Sequence, residues 1–197
     1  MSTPIQGNND LTFYINLRFK IHVVILKIIT SLKQYISTLP EWKTHLIQSF
    51  SKNYQIKSLA ESIQTKGKIF LATDGSETST KSGRVSVIID SNGVTLVEKI
   101  NPDSGTISKI YSHRSEIFGL ISALIFLDKY CKYYFPVLES GISYFCDNMG
   151  IITKVKAIKN NRLRYDTLFK TTNHDVVLLI KDYMPEKITI SHVKGRA

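Results

Sequence analysis

The run KIFLATDGSE, residues 68–77, sets the apolar stretch Ile69-Phe70-Leu71-Ala72 directly ahead of Thr73-Asp74-Gly75-Ser76. A short apolar run stopped by Asp-Gly-Ser predicts a buried strand with an acid at its carboxyl end. Downstream, residues 85–90 and 95–100 read as strands separated by Ser91-Asn92-Gly93, so the three strands form a meander. Residues 115–130 then carry Ile117, Leu120, Ile121, Leu124 and Leu127 at helical spacing, which predicts an amphipathic helix packed on the sheet with Glu116 in its first turn. Residues 141–146 predict a buried strand ending at Asp147, residues 148–159 and 173–184 predict helices, and residues 187–193 a last strand. This order gives an α/β fold: a mixed five-stranded sheet, with three antiparallel strands plus two parallel ones reached through helices that cover its faces.

Upstream, the period is helical. Residues 1–68 hold nine basic and three acidic residues, and Pro40 breaks the pattern ahead of Trp42, Leu46, Ile47 and Phe50. The expected division is a basic helical extension or connection remnant over 1–67 and an α/β domain over 68–197. The greasy stretch 19–36 is interrupted by Lys20, His22, Lys27, Lys33 and Gln34, short of the ~18 uninterrupted apolar residues of a spanning helix, so no membrane is expected. The polar opening, residues 1–10, lacks the basic start and apolar core of a signal peptide. Cys131 and Cys146 are the two cysteines, and neither has a second Cys or His at metal-ligand spacing. Reduced thiols in an intracellular protein are expected. Twenty-six basic against 16 acidic residues, a formal charge of +10, favour partners that carry phosphate or anionic lipid.

Three acids fall at element ends: Asp74 after the first strand, Glu116 at the helix start, and Asp147 after the fourth strand. Singly, each fits an ordinary turn or helix cap. If the two strands are neighbours, both Asp residues leave the same sheet edge and Glu116 reaches over them. Clustered carboxylates repel, so divalent cations are expected to neutralise them, Mg2+ first and Mn2+ as the alternative. Two such ions held about 4 Å apart suit phosphodiester hydrolysis.

The run Ala72-Thr73-Asp74-Gly75-Ser76, then His113-Arg114-Ser115-Glu116-Ile117-Phe118-Gly119-Leu120, Cys146-Asp147-Asn148 and His192-Val193-Lys194-Gly195 resembles type 1 ribonuclease H domains, above all those of retrotransposon reverse transcriptase polyproteins. The resemblance covers about residues 68–197 and implies a ribonuclease H-like fold and a magnesium-dependent endonuclease that cuts the RNA strand of RNA–DNA hybrids. It implies that Asp74, Glu116 and Asp147 are the catalytic metal ligands. It also implies that Ser76, Ser112, Arg114 and Asn148 touch the substrate backbone or its 2′-hydroxyls. Residues 39–47, with Trp42, are similar to sequence between the polymerase and ribonuclease H parts of such polyproteins.

The chain departs from the family at its end. Arg196 stands where the family has His, and Ala197 precedes any fourth acid, so the resemblance implies a weakened site. Asp175 is a poor replacement because it falls in a helix. The alternative function is a catalytically impaired nucleic-acid-binding module. Lys154, Lys156, Lys159, Arg162, Arg164 and Lys170, opposed by Asp166, form a basic stretch suited to duplex phosphates, and Lys194 adds a further contact.

Overall fold

The computed structural model describes residues 31–50, 56–77, 82–102, 112–134, 138, 141–160 and 174–194. Most of the helix expected over 19–36 lies outside them. Three short helices come first: α1 (Leu32–Ser37), α2 (Glu41–Ile47) and α3 (Ile56–Gln64). Ser31 caps α1 by accepting from the Gln34 amide at 3.2 Å. Pro40 opens α2, where its missing amide costs nothing. Thr44 ties the two helices by donating to the Ile36 carbonyl at 2.9 Å. The third helix was not expected; the Gly67 amide closes its end on the Ser62 carbonyl at 2.9 Å.

Strands β1 (Ile69–Glu77), β2 (Ser82–Ile89) and β3 (Thr95–Pro102) form the antiparallel part of the sheet. Asp90 builds the β2–β3 turn, its carboxylate accepting from the Asn92 and Val94 amides at 2.9 and 2.8 Å. Helix α4 (Ser112–Tyr134) crosses to β4 (Ile142–Cys146), and α5 (Met149–Lys159) and α6 (His174–Tyr183) lead to β5 (Ile188–His192). The strand order is β3-β2-β1-β4-β5, with β4 parallel to β1 and β5 parallel to β4. This is the mixed five-stranded sheet, three antiparallel strands and two parallel ones, that the order of elements implied.

Helix α4 is the centre of the core. Ile117, Leu120, Ile121, Leu124 and Leu127 are all at most 2% exposed, as their spacing predicted, but so are Ala123, Ile125, Phe126 and Tyr130. A helix buried this widely has partners on more than one side. One is the sheet: Gly119 lies so close that an added Cβ would sit 3.3 Å from the Val85 carbonyl and Ser86 Oγ, and Ser86 donates to the Gly119 carbonyl at 2.9 Å. The other is the N-terminal layer, where Phe50 stacks on Phe126 at 4.6 Å and Tyr35 on Tyr133 at 5.5 Å. Full burial of such side chains contributes roughly 1.5–3 kcal/mol each. Among the described residues no helix is long and apolar enough to cross a membrane.

Lys99 of β3 is 3% exposed; it donates to the Leu46 carbonyl of α2 and lies 5.1 Å from the Phe50 ring centre. Burial, with a smaller push from Arg84, holds its amine down to about 7, against an ordinary 10.5. Between those two pH values the unfolded chain binds the extra proton, so folding stability gains as pH rises through that window. Denaturant unfolding of Lys99→Met should lose this gain relative to the parent; an unchanged pH slope refutes the burial account. At Gly141, φ is +75° and a Cβ would overlap the Lys187 carbonyl, which accepts the first β4–β5 hydrogen bond from Ile142 at 2.9 Å. Gly141→Ala should cost at least about 2 kcal/mol in the same assay.

Candidate active site

The site is placed by sheet register. The β1–β4 ladder pairs Ile69 with Ile142 and continues in step to Ala72 with Phe145. Two residues further along each chain stand Asp74 and Asp147, so both acids are delivered at one level at the carboxyl end of adjacent parallel strands. Asp74 does not follow its strand, the place that its turn-like neighbours Gly75 and Ser76 predict. It lies inside β1, because β2 goes on supplying partners past it, Asp74 opposite Val85 and Glu77 opposite Ser82. Both Asp74 and Asp147 are exposed.

Glu116 approaches from α4. The helix begins at Ser112, earlier than expected, which puts Glu116 beyond the first turn and 5% exposed. Cys146 Sγ donates to its Oε2 at 3.1 Å and Asn148 Nδ2 to its Oε1 at 3.3 Å. Asn148 is oriented by a second pair of contacts. Its Oδ1 caps α5, accepting from the Gly150 and Ile151 amides at 3.0 and 3.3 Å, so its amide group is left for Glu116. Burial raises the proton affinity of Glu116, the two hydrogen bonds lower it, and the charges of Asp147 and Asp74 raise it again. Ligand atoms of Glu116, Cys146 and Asp147 all lie within 4.8 Å of one another. Burial also pushes the Cys146 thiol up to about 12.

The remaining candidates divide. Ser76 is exposed on β1 two residues beyond Asp74, and Lys156 and Lys194 are exposed. Lys154 meets His113 Nε2 at 3.0 Å beside the α5 start, and burial lowers the proton affinity of both groups. Arg114 holds Asp175 through two contacts of 3.2 and 2.9 Å and stacks 5.0 Å from the Phe118 ring centre. Asp175 is thus spoken for by Arg114, whose hydrogen bonds and charge lower its proton affinity, and it joins the start of α6 to the start of α4. The side chain of Ser112 lies outside the described residues, as do Arg162, Arg164, Lys170 and Arg196.

Two contacts have no counterpart in the sequence pattern. His192 Nε2 meets the Asp147 carbonyl oxygen at 2.9 Å, and the Val193 amide donates to the Cys146 carbonyl at 3.0 Å, so β5 fixes the chain that presents Asp147. The signal for His192 is its register opposite Cys146, which only the folded sheet reveals. Cys146 itself escapes a search for Cys and His spacing, because such a search does not see carboxylates brought in by other elements.

The sequence matches no protein-family model and no curated protein sequence. Solved structures that it resembles include the N-terminal ribonuclease H domain of a Mycobacterium tuberculosis protein, studied fused to maltose-binding protein, at 15% identity over 65% of this chain and 83% of that one, TM-score 0.44. A second is the LC11 ribonuclease H1 in complex with an RNA/DNA hybrid, at 18% identity over 64% and 85%, TM-score 0.47. A third is a foamy viral protease-reverse transcriptase in complex with double-stranded DNA, at 11% identity over 68% and 85%, TM-score 0.47.

The Arg114–Asp175 pair is bidentate but partly solvated, the two side chains being 24% and 56% exposed. A double-mutant cycle of Arg114→Ala and Asp175→Asn should therefore return a coupling of about 0.5–1 kcal/mol in unfolding free energy. A coupling of zero would show that the pair adds nothing to the joint between α4 and α6.

Proposed function

We propose that this chain is a divalent-metal-dependent endonuclease that cuts the RNA strand of RNA–DNA hybrids, descended from a retrotransposon ribonuclease H. The observation that carries the reading is the register that sets Asp74 level with Asp147 on neighbouring parallel strands, with ligand oxygens of Asp147 and Glu116 within 4.8 Å of one another and the charge of Asp74 acting on Glu116. The proposed domain is 68–197. Residues 1–67 would be its extension or a connection remnant, and among the described residues Leu32, Ile36, Ile47, Phe50, Leu59 and Ile63 join the shared core.

The donor set suits a hard cation. Carboxylate oxygens from separate elements are what Mg2+ and Mn2+ accept, and Glu116, made proton-hungry by burial and by its acidic neighbours, gains from a positive charge. When bound, the ion would polarise the phosphodiester and lower the pKa of its water. The chain's residues do the rest. Asp74, Asp147 and Glu116 would hold the ion and set it against the phosphodiester. Asn148 and Cys146 fix the Glu116 carboxylate, and His192 steadies the Asp147 backbone. Lys156 and Lys194, exposed, and Lys154 beside His113 give cationic contacts for the phosphates. Ser76, Ser112, Arg114 and Asn148 complete the proposed nucleic-acid surface, with Arg114 and Asn148 also serving the structural contacts described above.

The second reading, a module that binds nucleic acid without cutting it, is favoured by one feature: both Glu116 oxygens already accept hydrogen bonds from the protein. Cleavage of a labelled hybrid in Mg2+ or Mn2+, with binding followed in the same salt titration, separates the two. Asp74→Asn should lower cleavage at least about 100-fold, near 2.7 kcal/mol of barrier, with hybrid binding retained. Binding without cleavage selects the second reading, and loss of both refutes the proposal.

A further inference from the structure

The sheet has two faces, and helix α4 lies on one of them. Leu71, Thr73, Ser86 and Ile88 are buried on that side. Along β1 and β2 they alternate with Phe70, Val85, Val87 and Ile89, which point the other way and are partly exposed. Register joins these into one surface. Phe70 pairs with Ile89, Val85 with Ile100, and Ala72 with Val87 on one side and Phe145 on the other. The Phe70 and Phe145 rings meet at 5.9 Å, and Ile100 is 67% exposed. Among the described residues none of these side chains joins the hydrophobic core or packs against it. On β5 the same face carries Thr189, exposed between buried Ile188 and Ile190. Strands in parallel pairing, as β1 and β4 are, are normally covered on both faces, and a contiguous apolar surface of this kind marks a place of contact.

Size decides against a second copy as the occupant. The surface runs from β4 across β1 and β2 to β3, and strands ~4.8 Å apart with ladders of a few residues at ~3.3 Å give a patch of about 14 by 17 Å, roughly 240 Å2. A stable pair of chains needs about 800 Å2 from each partner. A segment of the same chain needs less, because its tether holds it at a high effective concentration. Charge and length then select the segment. The surface carries two exposed acids, Asp74 on β1 and Glu98 opposite Val87 on β3, while Lys68 stands over the Phe70 ring at the other end of β1. Residues 11–30, outside the described part of the chain, are rich in apolar side chains and include Arg18, Lys20 and Lys27 with no acid. They run up to Ser31, the cap of α1, and a segment of that length reaches about 30 Å as a helix and further when extended.

We propose that the face of the sheet carrying Phe70, Val87, Phe145 and Ile100 is the docking surface for residues 11–30 of the same chain. Apolar side chains of the segment meet the apolar surface, and its basic residues meet the acid at Glu98. The inference is independent of the nuclease reading. It gives the first part of the chain a place in the fold, as the cover on the side of the sheet that α4 leaves open, against the strand that presents Asp74.

The test uses the full chain with the photoreactive residue p-benzoylphenylalanine in place of Ile100, whose exposure allows the replacement without disturbing the core. Irradiation should produce a cross-link within one chain, and mass spectrometry of the digest should place it in residues 11–30. Adding Ile21→Asp, which sets a charge among the apolar side chains of the segment, should lower the yield at least about tenfold. A cross-link between two chains selects a second copy as the occupant and overturns the proposal. So does a cross-link that maps outside residues 11–30, the absence of any cross-link, or a yield that Ile21→Asp leaves unchanged. Circular dichroism reports whether the Ile21→Asp chain folds; if it does not, the map from the chain without that substitution decides alone.

Discussion

The parallel pairing of β1 with β4 is the constraint on which the site depends. A slip of one residue would set Asp74 level with Cys146 or Asn148 and turn the side chains of β4 to the opposite face. The register is held from both faces. Leu71 pairs with Tyr144, both fully buried, and Thr73 Oγ1 shares a hydrogen bond of 2.9 Å with the Tyr144 hydroxyl. The Phe70 and Phe145 rings meet at 5.9 Å. Leaving either hydroxyl alone in this setting would cost about 1–3 kcal/mol, so the pair specifies alignment beyond what apolar contact could. At its far side β4 is pinned by β5, through Cys146 opposite His192 and the His192 contact to the Asp147 carbonyl.

Helix α4 carries the third acid, and its burial explains how a carboxylate can be kept where burial opposes its charge. Gly119 and Ser86 lock the helix to the sheet, the N-terminal layer covers its C-terminal half, and the Arg114–Asp175 pair ties its start to α6. Glu116 therefore cannot swing out to water to relieve its desolvation. The asparagine and cysteine donors offset part of the cost, while Asp147 and Asp74 add to it. Such a group is a local loss of stability sustained by the packing around it, the usual condition of a functional residue.

The order of elements was legible because hydrophobic period and turn chemistry are local. The α4 stripe from Ile117 to Leu127, the Asp90-to-Gly93 turn and the buried run before Asp147 each needed only a short window of sequence. Helix α3 had a readable pattern as well, Ile56, Leu59, Ala60 and Ile63, but nine residues of it between two polar stretches did not stand out. The end of β1 was misplaced because Asp74-Gly75-Ser76 has turn composition, and only the length of β2 shows that the ladder continues. Side-chain partnerships were not legible. Arg114 and Asp175 are 61 residues apart, His192 and Asp147 are 45 apart, and both pairs follow from how distant elements align. Lys99, a charged residue on a strand, is buried because α2 and Phe50 cover its face of β3.

The charge pattern joins the two ligands that the proposed activity requires. Lys154, Lys156 and Lys194 would draw a phosphate backbone toward the sheet edge where Asp74, Glu116 and Asp147 stand, and those acids would repel it. Under the proposed activity a cation among the carboxylates would remove the repulsion, so metal binding would strengthen hybrid binding. Linkage then makes the effect mutual: the hybrid must strengthen metal binding by the same factor. In this arrangement a carboxylate cluster that would repel nucleic acid when empty would become its point of attachment when filled. The proposed basic contacts would then supply affinity without committing the chain to a phosphate at the site before the ion arrives.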